Sequence, residues 1–320
     1  MSYMILNFLK DEEPRAGLLV NGLCYDIVLE AGEKRFASTM DLLQDWQRAR
    51  PMLESIAVRI GKGDAKSSGT PVVQIQMLAP LLQPGAVYCA GANYYDHVRE
   101  MERAQNLPEG PTLKEQGERP WHLFKGSRSI IRGPGVAIAL PAFSNAVDWE
   151  IELVAVIGRT TSNVSVDDAL DYVAGYTIAN DLSARDSMAR EAIPPGNPFR
   201  FDWLPHKSFD GSCPIGPWIA PASEIGDPQD LGLKLWVNDE LKQDSNTRQM
   251  IFSVAEQVAA ISSRVTLHPG DLILTGTPAG VGAPRREFLK PGQTVKLWIE
   301  KIGELENRLV SSGLTGDKEQ

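Results

Sequence analysis

The sequence predicts a mainly β fold with some helices, an α+β class, and three observations carry that prediction. Strand-like runs recur along most of the chain, among them AVYCAG, WEIELVAVIG, LKLWVND, DLILTGT and TVKLWIEKI. Gly and Pro punctuate these runs where turns between strands are needed. Helical spacing of apolar residues is confined to a few segments, roughly 94–104, 166–174 and 247–264, so the regular strand–helix alternation of a doubly wound sheet is missing.

Taken in order, residues 3–9 and 17–29 read as strands around the turn-like KDEEPRAG, and GLLVNGLCYDIVLE carries the alternation and Gly break of a hairpin. Residues 40–60 space their apolar side chains as a helix does, with Pro51 predicting a break that leaves two short helices. GKGDAKSSGTP, residues 61–71, is polar, rich in Gly and Ser, and reads as a linker. These features predict a small N-terminal domain over 1–76 and a larger domain over 84–312. Two polar, Pro-rich stretches, 105–120 and 187–206, are long enough to be functional loops or lids.

Composition narrows the function. With 320 residues, 42% of them hydrophobic, the chain can bury a proper core. A formal net charge of -9 argues against nucleic-acid partners and anionic membranes, and no apolar run is long enough to span a bilayer. An acidic substrate stays possible where a metal or local cations reverse the field. Cys24, Cys89 and Cys213 are odd in number and form no CxxC pair, which points to a reducing compartment and away from zinc. The opening MSYMILNFLKDEEPR lacks a signal-peptide apolar run, and a cytoplasmic location is the expectation.

The sharpest local signal is DWEIELVAVIG, where Glu150 and Glu152 stand two apart on a strand. Period two puts both carboxylates on one face, about 7 Å apart at the backbone, within reach of one cation. Val154 and Val156 continue that face, whereas Trp149, Ile151, Leu153 and Ala155 make the other apolar. A solvated strand end, or pairing with Arg and Lys, is the competing explanation. Asp181 ends the strand-like AGYTIAND, and a third carboxylate would complete a hard oxygen site for Mg²⁺, Mn²⁺ or Ca²⁺. In GANYYDHVREM, His97 and Glu100 are three apart on one side of a helical turn, the outline of a water-activating pair or simply an exposed helical pair. Lys207 in HKSFDGSCPIGPWI could stabilise an oxyanion, and the loop of LHPGDLILTGTPAGVG, with Thr277, could hold a carboxylate through its amides and hydroxyl.

In this order, GANYYDHVREM, DWEIELVAVIGR, GYTIANDLSARD, KSFDGSCPIGPWI, GDLILTGTPAGVG and PGQTVKLWIEKIGELENRL resemble the fumarylacetoacetate hydrolase family over about residues 84–310. The resemblance implies a mixed β-roll catalytic domain, a homodimer, and a smaller N-terminal domain. It also implies a divalent metal, Mg²⁺ first, on Glu150, Glu152 and Asp181, with His97, Glu100 and Lys207 catalytic and with Arg185 and Thr277 binding substrate. One departure stands out: Met188 occupies the position, three residues after Arg185, where some members carry Gln. The implied partner is a small dicarboxylic or oxo-acid substrate. The expected reaction is hydrolysis of a carbon–carbon bond in an acylpyruvate- or fumarylpyruvate-like 2,4-dioxo acid. The rivals are an isomerase of 2-hydroxyhepta-2,4-diene-1,7-dioate-like substrates, a β-keto-acid decarboxylase and a non-catalytic carboxylate binder.

Overall fold

In a computed structural model, which describes residues 2–313, a buried strand forms the centre of the molecule. Ile151–Ile157 is buried along its whole length. It pairs antiparallel with Val173–Asn180 on one side and with Leu272–Leu274 on the other. Both of its faces are covered, as the sequence pattern required. Ile151, Leu153, Ala155 and Ile157 enter one apolar core together with Trp149, and Val154 and Val156 enter a second.

Around this strand lies a 12-stranded mixed sheet, with a five-stranded sheet beside it, and helices cover their surfaces. Leu272–Leu274 pairs in parallel with Val87–Ala90, which pairs antiparallel with His122–Lys125. In the other direction, Val173–Asn180 pairs with Cys213–Pro221, which meets the N-terminal meander at Ile5 and Ile219. The five-stranded sheet packs the side chains of Leu233, Leu235, Val295, Leu297 and Leu305 against the first core.

Several local expectations need correction. The chain does turn at Asn21–Gly22, with positive φ at both residues, between strands Glu13–Val20 and Leu23–Asp26. Residues 27–29, expected as strand, open a short helix instead, because the Asp26 carboxylate accepts from the Val28 and Leu29 amides as an N-cap. The segment 40–60 does form two helices, Thr39–Gln44 and Trp46–Gly61, but they divide at Asp45 and the second runs through Pro51. Pro51 deprives only the Gln47 carbonyl of its partner, and Gln47 is exposed, so water can serve in its place. Over 166–174 only a 3₁₀ turn, Ala169–Tyr172, precedes the strand that begins at Val173, since pairing with the central strand outweighs local helical spacing. Over 247–264 the α-helix is Val254–Ser262, started by a reciprocal Ser253–Glu256 capping box.

The division at 1–76 and 84–312 is kept as a proposal. Its energetic cost follows from the second core, where Ile5, Leu18, Ile27, Leu43, Trp46 and Leu53 pack with Val154, Val156, Ile215, Ile219, Leu272 and Leu274. A fragment of residues 84–312 would uncover that apolar face on the back of the site strand. We predict that the fragment binds an apolar dye and forms aggregates of no fixed size, whereas the full chain is dye-silent and monodisperse. A monodisperse, dye-silent fragment by light scattering and fluorescence would show that the second part needs no cover.

Candidate active site

The register of two strands brings the three acidic residues together. The Asp181 amide donates to the Glu150 carbonyl at 2.9 Å, and the Glu150 amide donates to Asn180 Oδ1 at 3.1 Å, just where the paired strands end. One ligand oxygen from each of Glu150, Glu152 and Asp181 lies within 4.8 Å of the others, and all three residues are buried. Ser183 closes the corner, donating to Glu150 Oε1 at 3.3 Å and to the Asp181 carbonyl at 2.9 Å.

Cations surround these carboxylates. Lys207 Nζ lies 2.8 Å from Glu150 Oε2 and 2.6 Å from Asp181 Oδ2. Lys125 Nζ, fully buried, lies 2.5 Å from Asp181 Oδ1 and also donates to the Ser212 carbonyl at 3.1 Å. Arg185 spends its guanidinium on Asp148 Oδ2, at 2.9 Å, and Glu150 Oε1, at 2.5 Å. Asp148, Glu150, Glu152 and Asp181 therefore face Arg185, Lys207 and Lys125, four carboxylates against three cations. Among the described residues Glu152 is left without a cation in hydrogen-bond contact, and its Oε2 accepts only the Gly276 amide, at 2.6 Å.

The ionisation tendencies follow this layout. Burial alone would raise Glu150, but Lys207 and Arg185 hold its carboxyl well below the usual range. Burial, with Asp181 and Glu150 close by, pushes Glu152 well above it. For Lys207 burial opposes the charge, yet the Asp181 and Glu150 carboxylates win and raise it. Such a site is one positive charge short. A buried, all-oxygen cluster with an uncompensated carboxylate has the donor chemistry of a hard divalent cation site, and the three acids fit such an ion.

A second group approaches from the helix Tyr95–Ala104. Asn93 locks its start, donating to the Phe252 and Thr275 carbonyls and accepting from the Phe252 amide. Asp96 ties its first turn to the Gly-rich loop, accepting from Ser245 Oγ at 2.6 Å and from the Ala279 amide. His97 is buried, and its Nδ1 has no hydrogen-bond partner among the described residues. It lies 3.7 Å from Glu100 Oε2, close enough for charge attraction and too far for a hydrogen bond. Burial would raise Glu100, but His97 and the Gly280 amide, which donates to it at 2.9 Å, hold it below its ordinary value.

The Gly-rich loop supplies the opposite wall. Gly276 adopts φ of +99°, and a Cβ there would stand 2.8 Å from the Asn93 Cβ, so only glycine lets its amide reach Glu152. Gln243 threads between strand and loop. Its Oε1 accepts from the Ile151 amide at 3.0 Å, and its Nε2 donates to Thr277 Oγ1 and the Pro278 carbonyl, both at 2.9 Å. Because Thr277 Oγ1 accepts from Gln243, its hydroxyl proton is free to be donated; among the described residues it has no protein acceptor. His97, Glu150, Glu152, Arg185, Lys207 and Thr277 line one cavity of about 330 Å³, large enough for a small organic acid. Glu100 stands behind His97 and outside that lining.

Sequence reasoning missed Asp148, Lys125, Asn93 and Gln243. Asp148 shares the two-residue period of Glu150 and Glu152, so DWEIE carried a signal for it. Lys125 sits in HLFK, which offers no local reason to select it.

A mixed-sheet scaffold that presents an acidic triad, a nearby imidazole and a glycine-rich loop to one cavity defines a class of enzymes that act on small acids beside a divalent cation. A family model for the fumarylacetoacetate (FAA) hydrolase C-terminal domain matches residues 86–310, and the chain belongs to that family. It is an enzyme of the hydrolase, isomerase and tautomerase superfamily that bears the name. Among curated relatives, the mitochondrial oxaloacetate tautomerase Fahd2a of Rattus norvegicus is 40% identical over 242 residues, covering 75% of this chain and 71% of the relative. The mitochondrial oxaloacetate tautomerase FAHD2B of Bos taurus is 42% identical over 243 residues, with the same coverage. Among solved structures, maleylpyruvate hydrolase from Sphingobium sp. SYK-6, in complex with manganese(II) ion and pyruvate, superposes with a TM-score of 0.71 at 27% identity, over 96% of this chain and 99% of that one. A 2-hydroxyhepta-2,4-diene-1,7-dioate isomerase from Mycobacterium marinum gives a TM-score of 0.70 at 31% identity, over 98% and 100%.

Those relatives are named as mitochondrial, which overturns the cytoplasmic location expected above. The reason is simple: lack of a secretory apolar run bears on one export route and does not choose among other compartments.

The charge count gives a test. After exhaustive chelation at neutral pH, Glu152→Gln should melt higher than the wild type, because it removes a buried carboxyl that has no cationic partner and whose ionisation burial disfavours. Added Mg²⁺ or Mn²⁺ at a hundred times its Kd should stabilise the wild type by about 2.7 kcal/mol and leave the variant nearly unmoved. Equal metal-induced shifts in calorimetry would mean that the triad is not where the ion binds.

Proposed function

We propose that the protein moves a proton at C3 of a small 2-oxo acid, interconverting its keto and enol forms. The observation that carries this is the His97 imidazole, buried in the cavity wall with Nδ1 unpartnered and Glu100 behind it. An imidazole is the natural proton carrier near neutral pH, and a neighbouring carboxylate supports its charged form. The relatives named oxaloacetate tautomerases, at 40–42% identity, support keto–enol chemistry on an oxo acid.

In this reading Glu150, Glu152 and Asp181 would hold Mg²⁺, which supplies Lewis acidity toward the oxygens of the bound acid. His97 takes the C3 proton and delivers it to O2, so that one C–H bond is broken, one O–H bond is formed and the protein's protonation is unchanged. Lys207, held between Glu150 and Asp181, keeps positive charge on the cavity floor, where negative charge develops on O2. Thr277 donates its free hydroxyl proton to the substrate carboxylate. Arg185 gives Nε to Asp148 and one Nη2 donor to Glu150, which fixes a ligand, and its remaining N–H donors are left for the substrate. A homodimer belongs to the same proposal.

Hydrolysis of a 2,4-dioxo acid, the reaction expected first from the sequence, is the second reading. The pairing of His97 with Glu100 favours it, since such a pair also suits deprotonation of a water, and the structural likeness to maleylpyruvate hydrolase points the same way.

One experiment separates the two. With Mg²⁺ present, purified protein is given oxaloacetate and acetylpyruvate, while enol absorbance and carbon fragments are followed. Enol–keto conversion without fragmentation is expected. His97→Ala should lower that rate roughly 10²–10⁴-fold with Mg²⁺ affinity unchanged. Release of two carbon fragments from acetylpyruvate would replace this reading with the hydrolase, and an unaltered rate in His97→Ala would remove His97 as the base.

A further inference from the structure

The cavity has a charged floor and an apolar mouth. Above the carboxylates, its walls are Met101, Leu113, Trp121, Leu123, Met188 and Trp203. The two loops that looked lid-like in the sequence supply Leu113, Met188 and Trp203, and Trp121, next to the first of them, completes the wall. Trp121 and Trp203 meet with ring centroids 5.3 Å apart, and Phe201 stacks on Trp203 at 6.3 Å. Trp121 is seated by an absence of side chain. A Cβ on Gly91 would fall 1.8 Å from its indole, so the ring occupies space that any other residue would fill.

The Arg and Lys side chains that line the cavity are engaged at its floor. Among the lining residues Arg185 is bound to Asp148 and Glu150, and Lys207 to Glu150 and Asp181. His206 donates from Nδ1 to the Ala184 carbonyl, and burial, reinforced by Lys207, pushes it down to about 4, so it is neutral. Nearby Arg99 is bound to Glu102 and the Gly110 carbonyl, and Arg190 to Asp202. Met188, the departure singled out from the sequence, puts a thioether where a side-chain amide would have offered donors.

The dimensions suit a ring. Trp203 and Lys207 are the first and last residues of one short helix, Trp203–Lys207. Four residues of helix set the two backbone positions roughly 6 Å apart along the axis, and the cavity of about 330 Å³ has room for a phenyl group beside the acid. We propose that the preferred substrates are 2-oxo acids whose far end is apolar, arylpyruvates in particular, and that a second carboxylate at that end is disfavoured. A carboxylate there would lose water and meet only indole, thioether and aliphatic groups. An aromatic ring would gain tilted or edge contacts with Trp121 and Trp203. This inference rests on the 2-oxo-acid reading of the floor and adds the selectivity of the mouth.

The test uses the full-length protein with Mg²⁺. Ketonisation of phenylpyruvate enol and of oxaloacetate enol is followed by loss of enol absorbance, and binding of phenylglyoxylate, which has no C3 proton, is followed by tryptophan fluorescence. The expected result is a kcat/KM for phenylpyruvate at least 10-fold above that for oxaloacetate, about 1.4 kcal/mol in the transition state. Trp203→Ala should lose most of that ratio, and Met188→Arg should invert it by supplying the missing cation. Equal or better turnover of oxaloacetate by the wild type would overturn the inference while leaving the proton-transfer reading in place. If neither enol is converted, the proton-transfer reading fails, and binding decides the inference. Saturable quenching by phenylglyoxylate, weakened in Trp203→Ala and tighter than binding of 2-oxoglutarate, upholds an apolar mouth, and the reverse order rejects it.

Discussion

Four buried carboxylates in one small volume are the constraint around which this molecule is arranged. Like charges at such spacing repel strongly in a poorly solvated interior, and each must find a donor or a cation. The fold answers from several directions at once. Lys125 comes from a strand near the sheet edge, Lys207 from a short helix, Arg185 from the turn after Asp181, and the Gly276 amide from the loop opposite. Those partners arise in distant parts of the chain, so the cluster cannot form until most of the sheet has formed. Site assembly and folding are therefore one cooperative event.

Asp148 and Asp181 show how the same charge type is put to different uses. Asp148 is closed on itself, with Arg185 on one side and the Gly282 and Ala283 amides on the other. It is a structural counterion that pins the loop to the strand. Asp181 is shared between two lysines and faces Glu150 and Glu152. Each of its two oxygens takes one ammonium, and such a contact yields an oxygen to an incoming ion more readily than a clamped guanidinium does.

The parts of this picture that could be read from the sequence are those written in local periodicity. The two-residue alternation of DWEIELVAVIG placed Glu150 and Glu152 together and divided the remaining side chains between two cores, and both hold in three dimensions. The helical spacing of YDHVREM set His97 beside Glu100. What local pattern could not supply was register between distant strands. That is why Asp181 was an isolated acid in the sequence and a neighbour of Glu150 in the fold, and why Lys125 and Gln243 escaped notice altogether. Local signals also misled where tertiary pairing opposed them, as at Val173, or where a proline's lost hydrogen bond fell on the solvent side, as at Pro51.

The short helix Trp203–Lys207 joins two things that an enzyme would ordinarily adjust separately. One end forms part of the cavity mouth, and the other carries an ammonium fixed to Glu150 and Asp181. With only five residues, the helix has no interior turn in which to absorb a displacement. Any drift or engineering that tilts it to admit a bulkier guest drags the ammonium along and unbalances the carboxylates beneath. Breadth of acceptance and speed of turnover are thus mechanically geared, and variants that widen the entrance by shortening a side chain will diverge more freely than variants that move the backbone.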